Sequence, residues 1–99
     1  MTITETTENG TITLALDGRL DTNTALQLEE ALKPVFDKTK EIILNFSKLT
    51  FISSAGLRVL LIAMKTAKEK SLSITITEAS ADVMDIFEVT GFAKILNIK

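Results

Sequence analysis

Two adjacent serines stand where a short apolar run gives way to a helical pattern, in the segment Ser53-Ser54-Ala55-Gly56. The first N–H groups of a helix have no helical acceptor, and with the positive end of the helix dipole they suit an anion. A phosphate on a serine here would add about −1.5 to −2 charges, which the helix start could carry without unfolding. The segment therefore predicts a modification switch or, in the simpler interpretation, a helix cap contributing about 1 kcal/mol.

Catalysis by Ser54 is disfavoured by the residue types available around it. The chain contains no histidine that could activate a serine, and the first glycine of the nucleophile-elbow pattern is missing. A lysine could serve as the base in principle. We therefore predict no catalytic residue and no enzymatic activity.

A pair of carboxylates, Asp17 and Asp21, flanks the segment Gly18-Arg19-Leu20. Paired carboxylates can serve acid–base or metal chemistry, but no third ligand is evident, so no metal site is predicted. Capping of the following helix is the simpler role. Because functional loops gather at the carboxyl ends of neighbouring parallel strands, Asp21 is also placed to face the serine loop.

The composition narrows the class of protein. The 99 residues, 45% of them hydrophobic, suit one globular domain over residues 1–99 with a single modest core. Cysteine, histidine, tyrosine and tryptophan are all missing, which excludes disulfides, thiolate or imidazole metal ligands and a Ser-His-Asp triad. The net charge of −2 disfavours nucleic acid as a partner. No signal core and no run of about 20 apolar residues occurs, so we expect a cytoplasmic protein without membrane insertion or cofactor.

Strand patterns alternate along the chain with helical ones. Polar–apolar alternation predicts strands over residues 11–16 and 72–77, and the apolar run at 42–46 predicts a central strand buried on both faces, followed by a turn at 47–50. A short strand at Ile3 and Thr4 would form a hairpin through Asn9-Gly10, and residues 92–98 a final short strand or turn. The order predicts an α/β domain, with a mixed, mostly parallel sheet of four to five strands and helices mainly on one face.

Three helices are predicted between and after these strands. The first begins near Thr24, with Gln27 completing a capping box and Asp21 or Thr22 as rival caps, and bends or ends near Pro34. The second is capped by Ser53 or Ser54, and the third runs from a cap at Ser80 to Gly91. Helical spacing predicts these core-facing residues: Ala25, Leu28, Leu32 and Val35; Leu57, Leu60, Leu61 and Met64; Val83, Ile86 and Phe87.

Three stretches of the sequence carry a resemblance to one known family. They are Gly18-Arg19-Leu20-Asp21 with Thr24-Ala25; residues 42–57 with Leu60-Leu61; and Val83 to Gly91 with Phe92 and Ile95-Leu96. In these stretches the chain resembles the STAS domains of bacterial anti-sigma factor antagonists. The middle stretch, which ends in Phe51-Ile52-Ser53-Ser54-Ala55-Gly56-Leu57, is the specific one. Together the three cover nearly the whole chain in order.

The resemblance implies a partner-switching function. Such proteins bind an anti-sigma factor that is also a serine kinase, and thereby free the sigma factor. The kinase phosphorylates a serine in an Asp-Ser-Ser-Gly-Leu loop, the modified protein is released, and a serine phosphatase resets it. By position, Ser54 matches the phosphorylated serine, and the implied partner-binding residues are Asp21, Ser53, Ser54, Ala55, Gly56 and Leu57.

Ser53 departs from the family pattern, because the family has an aspartate at this position. The replacement removes a negative charge beside the acceptor hydroxyl and makes Ser53 a rival acceptor. It also leaves an alternative open, in which the chain is a constitutive STAS scaffold subunit of a signalling or transport complex and is not phosphorylated.

Overall fold

The computed structural model describes Met1–Lys99. Four strands, three helices and a short 3-10 turn follow one another as β1 (Thr2–Glu8), β2 (Thr11–Leu20), α1 (Ala25–Val35), β3 (Glu41–Ile52), α2 (Ser54–Glu69), β4 (Ser73–Thr77), α3 (Ala81–Thr90) and the 3-10 turn Phe92–Lys94. The predicted order of strands and helices is confirmed. None of the helices combines the length and apolarity that crossing a bilayer requires.

The four strands form one mixed sheet in the order β1-β2-β3-β4. The first pair is antiparallel, and the other two pairs are parallel. The predicted hairpin is confirmed, since Asn9 and Gly10 turn with φ of 53° and 82° between β1 and β2. Near the chain end Ile98 forms an isolated parallel bridge to Ile76, which adds a short fifth segment beside β4. The predicted α/β fold with a mostly parallel sheet of four to five strands is therefore confirmed.

The core lies on one face of the sheet. Alternate residues of β2 and β3 are buried there under the helices, as the two-residue period of a strand requires. The prediction that β3 is buried on both faces is wrong, because Ile43 and Asn45 on its second face are only half-buried. No helix covers that face, so the apolar run at 42–46 reflects the central position of the strand rather than burial on both sides.

The predicted turn at residues 47–50 is also wrong, because β3 continues as a strand to Ile52. Two register shifts between β2 and β3, at Ala15/Asp17 and at Gly18/Arg19, allow the pairing to continue past irregular backbone. Leu49 and Ile52 remain in the core as a result. The extension carries the end of β3 alongside the end of β2, and this brings the two candidate loops together.

The helix starts were predicted with mixed success. Ser53 caps α2 and Ser80 caps α3, each side chain accepting from the N–H three residues later, and Gly91 ends α3 with φ of 80°. The capping box at Thr24 is wrong: the Thr24 side chain makes no cap bond, and Gln27 donates to the Met1 carbonyl instead. The loop before α1 already uses the Thr24 hydroxyl, so it is not available to the helix.

The core stripes of α1 and α3 follow the predicted spacing more closely than that of α2. All four predicted residues of α1 are buried, as are Val83 and Phe87 of α3, while Ile86 is half-buried. In α2 the buried residues are Gly56, Leu57, Val59, Leu60, Ala63 and Ala67, whereas Leu61 and Met64 are half-buried. Contact with α1 as well as with the sheet widens and rotates the buried stripe of α2.

Candidate functional site

The serine loop lies at the point where β3 ends and α2 begins. The Ser53 N–H donates to the Leu20 carbonyl at 2.9 Å, which fastens the loop to the last residue of β2. Asp21 follows Leu20 directly, so the structure places Asp21 and the two serines at the same edge of the sheet. This edge carries the carboxyl ends of parallel strands, where such sheets bind their ligands.

The two serine hydroxyls differ in their surroundings. Ser53 is half-buried, and its Oγ accepts from the Gly56 N–H in a long bond of 3.5 Å. Ser54 is the first residue of α2, is exposed, and takes no part in the side-chain hydrogen bonds of the structure. Ser53 is thus committed to the helix cap, whereas the Ser54 hydroxyl is open to an approaching protein.

Gly56 and Leu57 hold the loop in place from inside the domain. Leu57 is only 6% exposed and belongs to the core. A Cβ on Gly56 would lie 2.7 Å from Leu20 Cγ and 3.0 Å from the Leu20 carbonyl oxygen. The start of α2 therefore approaches the end of β2 more closely than any side chain would allow. Of the predicted partner-binding residues, these two position the loop, and the half-buried Ala55 borders its exposed part.

Arg19 joins the site although the sequence reasoning did not single it out. Its guanidinium carbon lies 4.3 Å from the centre of the Phe51 ring, and its Nε lies 3.7 Å from Asp21 Oδ2. Opposite charges two residues apart, on either side of Leu20, were the signal in the sequence that could have indicated this pair. The contact covers Phe51 and offsets the charge of Asp21 beside the serine loop.

The Thr24 hydroxyl forms hydrogen bonds with the backbone of both Arg19 and Asp21. Its Oγ1 accepts from the Asp21 N–H at 2.9 Å and donates to the Arg19 carbonyl at 2.7 Å. The Asp21 carboxylate in turn accepts from the Asn23 N–H at 3.0 Å. These bonds hold the turn between β2 and α1 in one conformation beside the serine loop.

Replacing Thr24 by valine is expected to lower the free energy of unfolding by about 1 kcal/mol, because the Asp21 N–H and the Arg19 carbonyl both lose their partner. Valine keeps the shape of threonine, so the lost hydroxyl is the main change. Urea unfolding measures the effect, with Thr22→Val as the control because Thr22 is exposed on the same turn. Equal losses in the two variants would contradict the role assigned to the Thr24 hydroxyl.

The first turn of α2 presents polar groups at this edge of the sheet. The backbone amides of the helix start and the capping hydroxyl of Ser53 are next to Ser54 in the chain, and the Arg19–Asp21 pair lies at the same edge of the sheet. No three or more acidic side chains converge in a way that could hold a metal ion. What the loop offers is one exposed hydroxyl at the positive end of a helix, which suits the attachment of an anionic group.

Fold and loop together define a class: a single α/β domain that presents an exposed serine where a parallel strand passes into a helix. A model of the STAS domain family matches residues 2–99. The chain belongs to the STAS domain family, within its anti-sigma factor antagonists.

Two relatives support this assignment, and a solved structure shares the fold. BtrV of Bordetella bronchiseptica, which carries the name of an anti-sigma factor antagonist, is 32% identical over 91 residues, covering 91% of this chain and 78% of BtrV. The anti-sigma-B factor antagonist of Staphylococcus aureus is 26% identical over 99 residues, covering 99% of this chain and 92% of the relative. The Bacillus cell fate determinant SpoIIAA, solved in its phosphorylated form, shares the fold with a TM-score of 0.76 at 19% identity, covering 99% of this chain and 91% of SpoIIAA.

Proposed function

We propose that this protein binds an anti-sigma factor that is also a serine kinase, and that phosphorylation of Ser54 ends the binding. In the unphosphorylated state it occupies the anti-sigma factor and so releases the sigma factor. The observation that carries the proposal is the free, exposed hydroxyl of Ser54 at the start of α2, in a member of the anti-sigma factor antagonists. The existence of SpoIIAA in a phosphorylated form supports the same use of the loop here.

The partner-binding surface in this proposal is the edge of the sheet around Ser54, with Asp21 and Ala55 beside it. A phosphate adds about −1.5 to −2 charges to this edge. A partner fitted to the neutral loop would have to bury this charge without a counter-charge, which is costly, so the partner would be released. The fold would persist, because the added charge sits at the positive end of α2. The protein is a substrate and ligand of the kinase in this scheme and not itself an enzyme.

Ser54 is a better acceptor than Ser53 on structural grounds. The Ser53 hydroxyl caps α2 and is half-buried, so its phosphorylation would remove the cap and require the helix start to open. The Ser54 hydroxyl has neither constraint. A serine phosphatase that restores the free hydroxyl would complete the cycle, and an exposed phosphate on Ser54 would be accessible to it.

The test begins with an affinity pull-down from cells that carry the protein, read by mass spectrometry for both partners and phosphosites. We expect recovery of an anti-sigma factor with kinase activity and, with ATP, one phosphate on Ser54. Ser54→Ala should remain bound to the partner, whereas Ser54→Glu should bind about tenfold more weakly or worse, which corresponds to a loss of about 1.4 kcal/mol. Ser53→Ala is the matched control and should still accept the phosphate at Ser54.

Tight binding of Ser54→Glu to the kinase, or a phosphate found on Ser53 alone, would contradict the proposed switch. Ser53 also favours one second candidate, a constitutive scaffold subunit of a signalling or transport complex, because the family's acidic residue beside the acceptor is missing. In that case no phosphate appears in cells, and the pull-down recovers neither a kinase nor a sigma factor. Ser53→Asp, which restores the acidic residue, would then be the variant that a kinase accepts.

A further inference from the structure

We infer that Arg58 binds the phosphate of phosphorylated Ser54 and holds it against the first turn of α2; the inference rests on the proposed function. Ser54 is the first residue of α2, and Arg58 follows it by four residues on the same helix. Residues four apart are neighbours on a helix surface, about 5–6 Å apart at their Cβ atoms. A guanidinium at this spacing can reach a phosphate on the serine.

The direction of the side chain favours this contact. Helical side chains lean toward the helix N-terminus, and a long side chain covers the turn that precedes its own Cα. Arg58 therefore covers the surface beside Ser54 rather than the turn that follows. A cation four residues before the serine would point away from it.

Arg58 is also free to take a new partner. It is exposed and takes part in none of the three ion pairs of the structure, and Glu29 on the adjacent helix α1 does not engage it. Arg19, the other arginine of the chain, is already held by Asp21 and by the Phe51 ring. Arg58 thus has its full set of donors available for a phosphate.

The residue before the acceptor makes the charge balance at this turn specific to this chain. With Ser53 in place of an aspartate, no carboxylate at that position competes with the phosphate for Arg58. A guanidinium presents a planar fork of donors that matches two phosphate oxygens, and such charge-assisted bonds are about twice as strong as neutral ones. Phosphorylation would therefore form an ion pair between the phosphate on Ser54 and the Arg58 guanidinium. This ion pair favours the doubly ionised form of the phosphate.

The experiment installs phosphoserine at position 54 during synthesis of the full chain, so that no kinase is needed. The second ionisation of the phosphate is then followed by ³¹P NMR as the pH is raised. In Arg58→Gln the acid dissociation constant of this second ionisation should fall about threefold relative to the parent chain. The pKa of the phosphate therefore rises by about half a unit. Arg58→Lys keeps the charge without the fork and should give an intermediate value.

Lys65→Gln is the matched control, because Lys65 is exposed on the same face of α2 about two turns beyond Arg58 and about three turns from Ser54, and the substitution removes the same charge. Its titration should equal that of the parent chain. An unchanged titration in Arg58→Gln, or an equal change in Lys65→Gln, would overturn the inference. Failure of a cellular kinase to modify Ser54 would instead contradict the proposed function, and it would leave this titration unaffected.

Discussion

Replacing Phe46 by alanine is expected to lower the free energy of unfolding by about 3–5 kcal/mol. The side chain is fully buried at the centre of β3, and its ring centroid lies 6.4 Å from that of Phe87 on α3 at an interplanar angle of 37°. The truncation leaves a cavity in a close-packed core and removes an aromatic contact of about 0.5–1.5 kcal/mol. Since single domains are stable by only about 5–15 kcal/mol, the substitution would remove a large part of the stability of the domain.

Urea unfolding followed by far-ultraviolet circular dichroism measures this loss, because the chain has neither tryptophan nor tyrosine to report by fluorescence. Phe51→Ala is the matched control: Phe51 is half-buried on the same strand and lies under Arg19. This substitution should lower the free energy of unfolding by only about 1 kcal/mol, because Phe51 buries a smaller area than Phe46. Similar losses for the two variants would contradict the central role of Phe46.

The same strand shows how far periodicity determines a fold. Alternation in residues 11–16 was sufficient to predict the first part of β2, because a strand with one buried face has a regular pattern, but the continuation of β2 to Leu20 was not predicted. The run at 42–46 predicted a central strand correctly but its second face wrongly, since apolar runs do not reveal whether a helix covers the other side. Past residue 46 the strand continues because β2 is there to pair with it, and pairing partners are not visible in local sequence.

The position of the serine loop could be predicted from the sequence, but the hydrogen bonds that hold the neighbouring turn could not. Serine before a helical pattern predicted a cap at Ser53 or Ser54, of which the structure uses Ser53, and parallel strand ends predicted that Asp21 and the serines share one edge. The use of the Thr24 hydroxyl by the Arg19 carbonyl and the Asp21 N–H could not be foreseen, because it depends on the path of an irregular turn. A threonine hydroxyl can serve either in a capping box or in hydrogen bonds to the backbone of the preceding loop, and only the backbone conformation decides between the two.

Gly56→Ala is expected to lower the free energy of unfolding by about 1–3 kcal/mol and to weaken partner binding at the same time. Helix propensity alone predicts that Gly56→Ala raises the free energy of unfolding, since alanine is more favourable than glycine inside a helix by about 1 kcal/mol. Packing outweighs it, because the new methyl group would meet Leu20 Cγ at 2.7 Å and Ile52 Cγ1 at 3.0 Å. To relieve the clash, the start of α2 must move away from β2 and carry Ser54 with it.

Gly91→Ala separates this steric effect from the general cost of replacing a glycine. Nothing lies within 4 Å of the position where its Cβ would be placed, but its φ is +80°, so the cost is the conformational one of about 1–2 kcal/mol. Gly91 ends α3 and is not part of the serine loop, so this variant should bind the partner like the parent chain. Weakened binding in both variants would indicate a loss of stability rather than a displaced loop.

A double-mutant cycle with Leu20→Ala identifies the clash itself. Leu20 is fully buried, so its truncation alone should cost about 2–5 kcal/mol. In the double variant the methyl group on residue 56 enters the space that the leucine side chain has left, so the combined loss should be smaller than the sum by at least about 0.5 kcal/mol. Additive losses would mean that Leu20 does not limit the approach of α2. The remaining contact with the Leu20 carbonyl oxygen, at 3.0 Å, should keep the double variant below the parent chain in partner binding, because that carbonyl also holds the Ser53 N–H.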